Sequence, residues 1–238
     1  MMDQREKENK LMKDLKDPDK ENSAEISRLI NNTIRSGHKV WLGTDWHLWL
    51  RDVKDKPKCH ERSDFNQILK NFRKGVGQDD LLIYLGDLVD GEFQDKYQLR
   101  AVLWGLAKNM ILVKGNNDLF TDAFYKDCGF KYVVESFVWS DVLFTHIPCE
   151  NKNKVNVHGH LHSYHRYRIP YTNQVDVAWL GGRKEPVELF KVIKAQPKYS
   201  KIIIEEPDHF GEHFQEDLDL FHQQFTTHRL YDPFRDDE

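Results

Sequence analysis

Five short apolar runs in this chain each stop at a residue able to ligate a metal. "VWLGTD" ends at Asp45, with His47 two residues on; "LLIYLGD" ends at Asp87, with Asp90 three further. "MILVKGNND" ends at Asn116, Asn117 and Asp118, "VLFTH" at His146, and "KVNVHGHLH" at His160 and His162. Each run is too short for a helix and rich in strand-forming residues. In open α/β sheets, ligands bind outside the carboxyl ends of the strands. A fold that lays these runs side by side therefore brings carboxylate, carboxamide and imidazole groups to one edge.

The intervening segments read as helices. Ile26, Leu29, Ile30 and Ile34 mark one face of "SAEISRLINNTIRSG", with Asn22 or Ser23 as cap and Gly37 at the end. Phe65, Ile68, Leu69 and Phe72 do the same behind Ser63, as do Leu99, Val102, Leu103 and Leu106 in "DKYQLRAVLWGLAKN". Alternating strand and helix implies βαβ units and a largely parallel sheet. The second half is richer in strands: "YVVESFVWSDVLFTH" reads as two, joined at Ser140-Asp141, and "KVNVHGH", "QVDVAWL" and "SKIIIEE" add more. The expected fold is α/β, a four-layer α/β/β/α sandwich of two mixed sheets with helices outside. We expect a charged N-terminal segment over 1–22, the main domain over 23–206, and an acidic helical tail over 207–238. In that tail Phe210, Phe214, Leu218, Phe221 and Phe225 recur at helical spacing, to dock on the body or on a second copy as a homo-oligomer.

Composition narrows the chemistry. The chain of 238 residues suits one large domain, and no apolar run approaches the ~20 residues that span a bilayer. Its start is charged and lacks the apolar middle of a secretory signal. The three cysteines, Cys59, Cys128 and Cys149, form no CxxC pair, which argues against a disulfide framework or a thiolate zinc cage and for a reducing cytoplasm. A metal site must then use histidine and oxygen. The net charge of −4 is uneven: residues 202–238 hold eleven acidic side chains against two arginines, leaving the remainder positive. That excess is no basic stripe, so a nucleic-acid role is not favoured.

Asp45, His47, Asp87, Asn116, His146, His160 and His162 suit borderline divalent ions, Mn²⁺ first, with Fe²⁺, Zn²⁺ or Ni²⁺ as alternatives. Seven groups are too many for one ion that keeps an open position. They match two ions sharing a carboxylate, a pair ~3.5–4 Å apart that can clamp an attacking and a phosphoryl oxygen.

The blocks "DWH", "GDLVD", "GNND", "FTH" and "GHLH", in this order over residues 45–162, resemble those of the calcineurin-like metallophosphoesterase superfamily. The resemblance implies a first metal on Asp45, His47, Asp87 and His162, and a second on Asp87, Asn116, His146 and His160, with Asp87 bridging. It implies hydrolysis by a metal-bridging hydroxide, with Asp87, Asn116 and His146 catalytic and the last two touching the substrate phosphate. Gly86, Gly115 and Gly159 are expected to turn the backbone sharply near the metals. Asp90 and Asp118 are candidates to orient ligands, with ordinary loop acids as the alternative. The ligand histidines must be neutral to bind metal, so activity should collapse below about pH 6.

One position departs from the family pattern. Where the third block usually carries histidine, this chain has Asn117, which cannot supply a proton near neutral pH. Either another group serves, or the leaving group departs unaided, as from a phosphoanhydride or an activated or cyclic diester. Several branches lack this histidine, among them small bacterial and phage-type phosphodiesterases and the UDP-diacylglucosamine pyrophosphohydrolases. The expected activity is therefore that of a metal-dependent phosphodiesterase or phosphoanhydride hydrolase acting on a phosphorylated small molecule or nucleotide. The alternatives are a non-catalytic binding module, a DNA-end nuclease and a lipid-precursor pyrophosphohydrolase. His158 and His165 fall outside the motif and read as structural or solvated. Arg51, Arg166 and Arg168 read as surface charges within possible reach of phosphate. Trp46, Trp49 and Tyr164 divide evenly between pocket and core, and His209 and His213 read as a solvated acidic face.

Overall fold

In the computed structural model, residues 20–48, 65–89, 95–149, 154–160, 174–178 and 184–194 are described below. The four β-rich runs of the first half form one sheet because their sequences are apolar on both faces, as a covered parallel sheet requires. β1 (Val40–Gly43), β2 (Leu81–Tyr84), β3 (Asn109–Val113) and β4 (Tyr132–Val134) are parallel neighbours, and β9 (Val187–Glu188) adds an antiparallel edge, in the order β4-β3-β2-β1-β9. A second sheet, β5 (Phe137–Trp139), β6 (Val142–Phe144), β7 (Val155–His158) and β8 (Gln174–Asp176), runs in sequence order, antiparallel at β5-β6 and parallel after it.

Strand alternation sorts the core into two layers. Val40, Leu42, Leu81, Ile83, Ile111 and Val113 point one way and meet Phe137, Phe144, Val157 and Val175 of the second sheet. Leu82, Tyr84, Met110 and Leu112 point the other way, against α2 (Phe65–Gly75), α3 (Lys96–Leu103) and α4 (Asp122–Cys128). α1 (Lys20–Arg35) adds Ile26 and Ile30 to the layer between the sheets, and the short α5 (Leu189–Lys194) adds Leu189 and Val192. Two mixed sheets with flanking helices are the architecture the strand and helix alternation predicts. No helix among the described residues is long and apolar enough to cross a membrane.

Several local expectations change. α1 spans Lys20–Arg35 among the described residues, so Asn22 and Ser23 lie inside it. Ser23 Oγ instead accepts from Val138 N at 3.2 Å, and Ser27 Oγ donates to Val138 O at 3.2 Å, which seats α1 on β5. "YVVESFVWSDVLFTH" forms three strands rather than two. The chain leaves the first sheet after Val134 and enters the second at Phe137, with Ser136 buried at the crossing. α4 was not expected; Thr121 Oγ1 caps it by accepting from Phe124 N at 3.3 Å, and Gly129, at φ 121°, closes it. Ser63, "SKIIIEE" and the tail lie outside the described residues.

The ligand-bearing end of β1 is braced by Phe72 of α2, whose ring also meets Trp46 edge-on at 4.7 Å. A methyl group on Gly43 would lie 2.7 Å from Phe72 Cε1. Gly43→Ala is therefore expected to lower stability by about 1–3 kcal/mol through overpacking, read as an earlier urea midpoint at unchanged slope. An unchanged midpoint would show that Phe72 has room to move.

Candidate metal centre

The parallel register of β1 and β2 continues past the strand ends and delivers three ligand-type residues together. Asp45 N donates to Gly86 O at 3.0 Å, His47 N to Asp87 O at 2.9 Å and Leu48 N to Leu88 O at 2.9 Å. The second sheet repeats the device: β6 and β7 are parallel, and Gly159 N donates to His146 O at 3.1 Å. The two edges are joined where His160 N donates to the Asp45 carboxylate, at 3.0 Å to Oδ2.

Ligand atoms of Asp45, His47 and Asp87 lie within 4.8 Å of one another, as do those of Asp87, His146 and His160, so Asp87 belongs to both sets. Its Oδ2 is 3.5 Å from His47 Nε2 and 3.3 Å from His146 Nε2. His146 Nε2 also faces Asn116 Oδ1 at 3.1 Å and His160 Nδ1 at 3.2 Å. At 2.7 Å from Leu85 O, His146 Nδ1 can donate its proton and leave Nε2 as the ligand atom. Six of the seven expected ligands thus converge, and His162 lies outside the described residues. A cluster of carboxylate, carboxamide and imidazole, with Asp45, His47, Asp87 and His146 buried and no thiolate among the described residues that form it, fits a pair of borderline divalent cations.

Backbone strain is concentrated here. Asp45, His47, Asp87 and His160 have φ of 57°, 46°, 56° and 71°, a left-handed region unfavourable for side chains larger than glycine. The glycines act differently from expectation. Gly86, at φ 83°, does turn the chain, but Gly115 and Gly159 have no positive φ. They are needed for close approach: a methyl group on Gly115 would overlap the Asp87 carboxylate, and one on Gly159 would overlap Thr44 Oγ1.

Asp118 organises the loops. It is buried and accepts from Asp87 N at 2.8 Å, Leu88 N at 3.0 Å and Gly115 N at 2.9 Å, with Tyr125 OH at 3.3 Å. It therefore fixes the backbone beneath a ligand rather than a ligand side chain. Asn117 donates twice to Asp87, from its backbone N to Oδ1 at 2.9 Å and from Nδ2 to Oδ2 at 2.7 Å. The sequence reading missed Tyr125, because α4 is short, and Thr44, whose hydroxyl lies 2.7 Å from Asp45 Oδ2 and 2.8 Å from Leu85 O. His158 is buried, not solvated; Nδ1 faces Gly159 O at 2.8 Å, and burial lowers its pKa to about 4. Trp46 is a core residue, its backbone N donating to Tyr84 OH at 2.7 Å. Asp90, Arg51, Trp49, Tyr164, His165, Arg166, Arg168, His209 and His213 lie outside the described residues.

Burial and mutual repulsion shape the charges. Burial pushes Asp45 up to about 7, helped by the Asp87 charge and opposed by His146. Burial would raise Asp87 too, but His146, His47 and the Asn117 N–H hold it below the usual carboxylate range. Burial works against the imidazolium of His146, yet the Asp87 and Asp45 carboxylates push it up to about 10. His160 falls to about 3 through burial and the neighbouring His146 charge. Without a cation, then, a proton on His146 balances the acids, and a divalent ion must displace it.

These shifts set a pH dependence. His146 rises from 6.5 to about 10 on folding, so its contribution is full below 6.5 and is lost as pH climbs through that window. Asp45, raised from 3.8 to about 7, has the same sign over a lower window. Below 6.5 the lowered His158 and His160 act oppositely. The metal-free protein is therefore expected to lose stability between pH 6.5 and 9, and saturating Mn²⁺ to abolish that loss. Denaturant titrations across this range check it; a metal-free stability that rises with pH would contradict it.

With this geometry in hand, comparison with known proteins adds three findings. The calcineurin-like phosphoesterase family matches residues 38–226. No match is found among curated proteins. Among solved structures, a protein of unknown function from Aquifex aeolicus superposes with a TM-score of 0.51 at 20% identity, covering 66% of this chain and 98% of its own. Nuclease MPE from Pseudomonas putida superposes with a TM-score of 0.38 at 17% identity, over 53% of this chain and 62% of its own. The first shows a shared fold, and the second is too distant to carry an argument. The family match spans more than half of the chain and contains all the ligand-type strand ends, and the chain belongs to the calcineurin-like phosphoesterases.

Proposed function

We propose that this protein hydrolyses a phosphodiester or phosphoanhydride in a phosphorylated small molecule or nucleotide. In this reading two divalent ions are held by Asp45, His47, Asp87, Asn116, His146, His160 and His162. The observation that carries the proposal is the sharing of Asp87 between two ligand triads. Two such ions, Mn²⁺ being the best match to the donor set, supply an activated water at neutral pH and neutralise charge on the phosphoryl group. The protein's part is to orient and exclude. Asp87 fixes the spacing of the two sets, while the Asn116 amide and His146 face the phosphate. Burial of Asp45, Asp87 and His146 keeps bulk water from weakening these interactions.

The preference for a diester or anhydride rests on Asn117. Its amide is committed to Asp87 and has no proton to give a leaving alkoxide. Substrates whose leaving oxygen is already a weak base escape that requirement. Buried, unpaired Cys128 and Cys149 support a reducing, cytoplasmic setting.

The test is hydrolysis of bis-p-nitrophenyl phosphate beside p-nitrophenyl phosphate by metal-stripped protein with Mn²⁺ restored. Turnover is expected to require Mn²⁺, to decline in acid as protons compete with the metal for the ligand groups, and to be lost in Asp87→Asn. Metal-loaded protein that turns over neither ester nor a nucleotide anhydride would contradict the proposal.

A further inference from the structure

Asn117 is where the chain departs from its family, and its side chain is not idle. We propose that Asn117 is a positioning residue that sets the orientation of the Asp87 carboxylate for two cations. The inference rests on the two-ion reading above and adds to it a role for a residue outside the ligand set.

The geometry is a two-point grip on a single carboxylate. Asn117 N donates to Oδ1 at 2.9 Å and Nδ2 to Oδ2 at 2.7 Å. The identity of the amide end facing Asp87 follows from chemistry. An ionised carboxylate only accepts, so the nitrogen must face it. The carboxylate offers about four lone-pair positions. Asn117 takes one on each oxygen, and His47 and His146 both face Oδ2, so the grip turns that oxygen toward both ligand sets. Donors on both oxygens also fix rotation about the Asp87 side chain, which a single donor would leave free.

The grip is anchored at its base. Asp118 N donates to Gly115 O at 3.2 Å and Leu119 N to Asn117 O at 3.0 Å, closing a tight turn around Asn117. The Asp118 carboxylate meanwhile holds Asp87 N and Leu88 N. Adjacent residues thus divide the work, with Asp118 fixing the backbone of Asp87 and Asn117 its carboxylate. A histidine here could serve as a proton donor; asparagine gives that up and puts its amide on the shared ligand. Hydrogen-bonding partners of metal ligands typically govern affinity by about 10–100-fold.

Mn²⁺ binding to metal-stripped protein, followed by calorimetry and by electron paramagnetic resonance, tests the role in wild type and three variants. Asn117→Leu keeps the branched shape, at larger volume, without a side-chain donor, Asn117→Ala removes the side chain beyond Cβ, and Asn117→His changes the shape but keeps a side-chain N–H. Wild type is expected to bind two Mn²⁺ with an exchange-coupled spectrum. Asn117→Leu and Asn117→Ala should bind about 10–100-fold more weakly and lose the coupling, and Asn117→His should recover most of both. If Asn117→Leu does not fold, Asn117→Ala against Asn117→His carries the comparison. Wild-type affinity in Asn117→Leu and Asn117→Ala, which keep only the backbone donor, or loss in Asn117→His equal to that in Asn117→Ala, would overturn the positioning role while leaving the two-ion reading intact. Wild-type protein that binds no Mn²⁺ pair would overturn both.

Discussion

The Asp87 carboxylate sits between two triads of ligand atoms, and much of the surrounding structure serves to hold it there. Its backbone is held by Asp118, its carboxylate by Asn117, and its loop by the continued pairing with residues 45–48. A buried acid in such company would be costly without cationic partners. In the metal-free protein that partner is a protonated His146, which divalent ions would replace. The same constraint makes the site pH-sensitive and ties its stability to its occupancy.

Local strain shows how strictly the geometry is imposed. Four residues of the candidate centre adopt left-handed backbone conformations, in a chain whose only other such non-glycine residue among those described is Ser140, in the β5-β6 turn. Glycine would relieve the strain at each but would remove the ligand. The surrounding layers must therefore over-determine these loops. Phe72 and Tyr84 brace Trp46 from below, Thr44 and His160 N fix Asp45, and the inter-sheet core keeps His146 and His160 opposite Asp87. Rigid strands, rather than the loops alone, set the spacing of the ligands.

Much of this was legible in the sequence because strand ends carry their chemistry in plain view. Asp45, His47, Asp87, Asn116, His146 and His160 were identifiable from the runs they terminate, and the helix faces of α1, α2 and α3 from the spacing of their apolar residues. What escaped was set by contacts distant in sequence. Nothing in "YVVESFVW" punctuates the passage between sheets, since Glu135-Ser136 is neither glycine nor proline. The close approaches at Gly115 and Gly159, and the grip of Asn117 on a carboxylate thirty residues away, depend on tertiary packing alone. Trp46 and His158 were ambiguous for the same reason, since burial decides their roles and sequence does not report it.

The most direct test of the account is anomalous diffraction from crystals soaked in Mn²⁺. Two peaks ~3.5–4 Å apart, both within bonding distance of Asp87, with His47 beside one and His146 beside the other, are the predicted result. A single peak, or a pair that does not share Asp87, would contradict the claim on which the proposed chemistry rests.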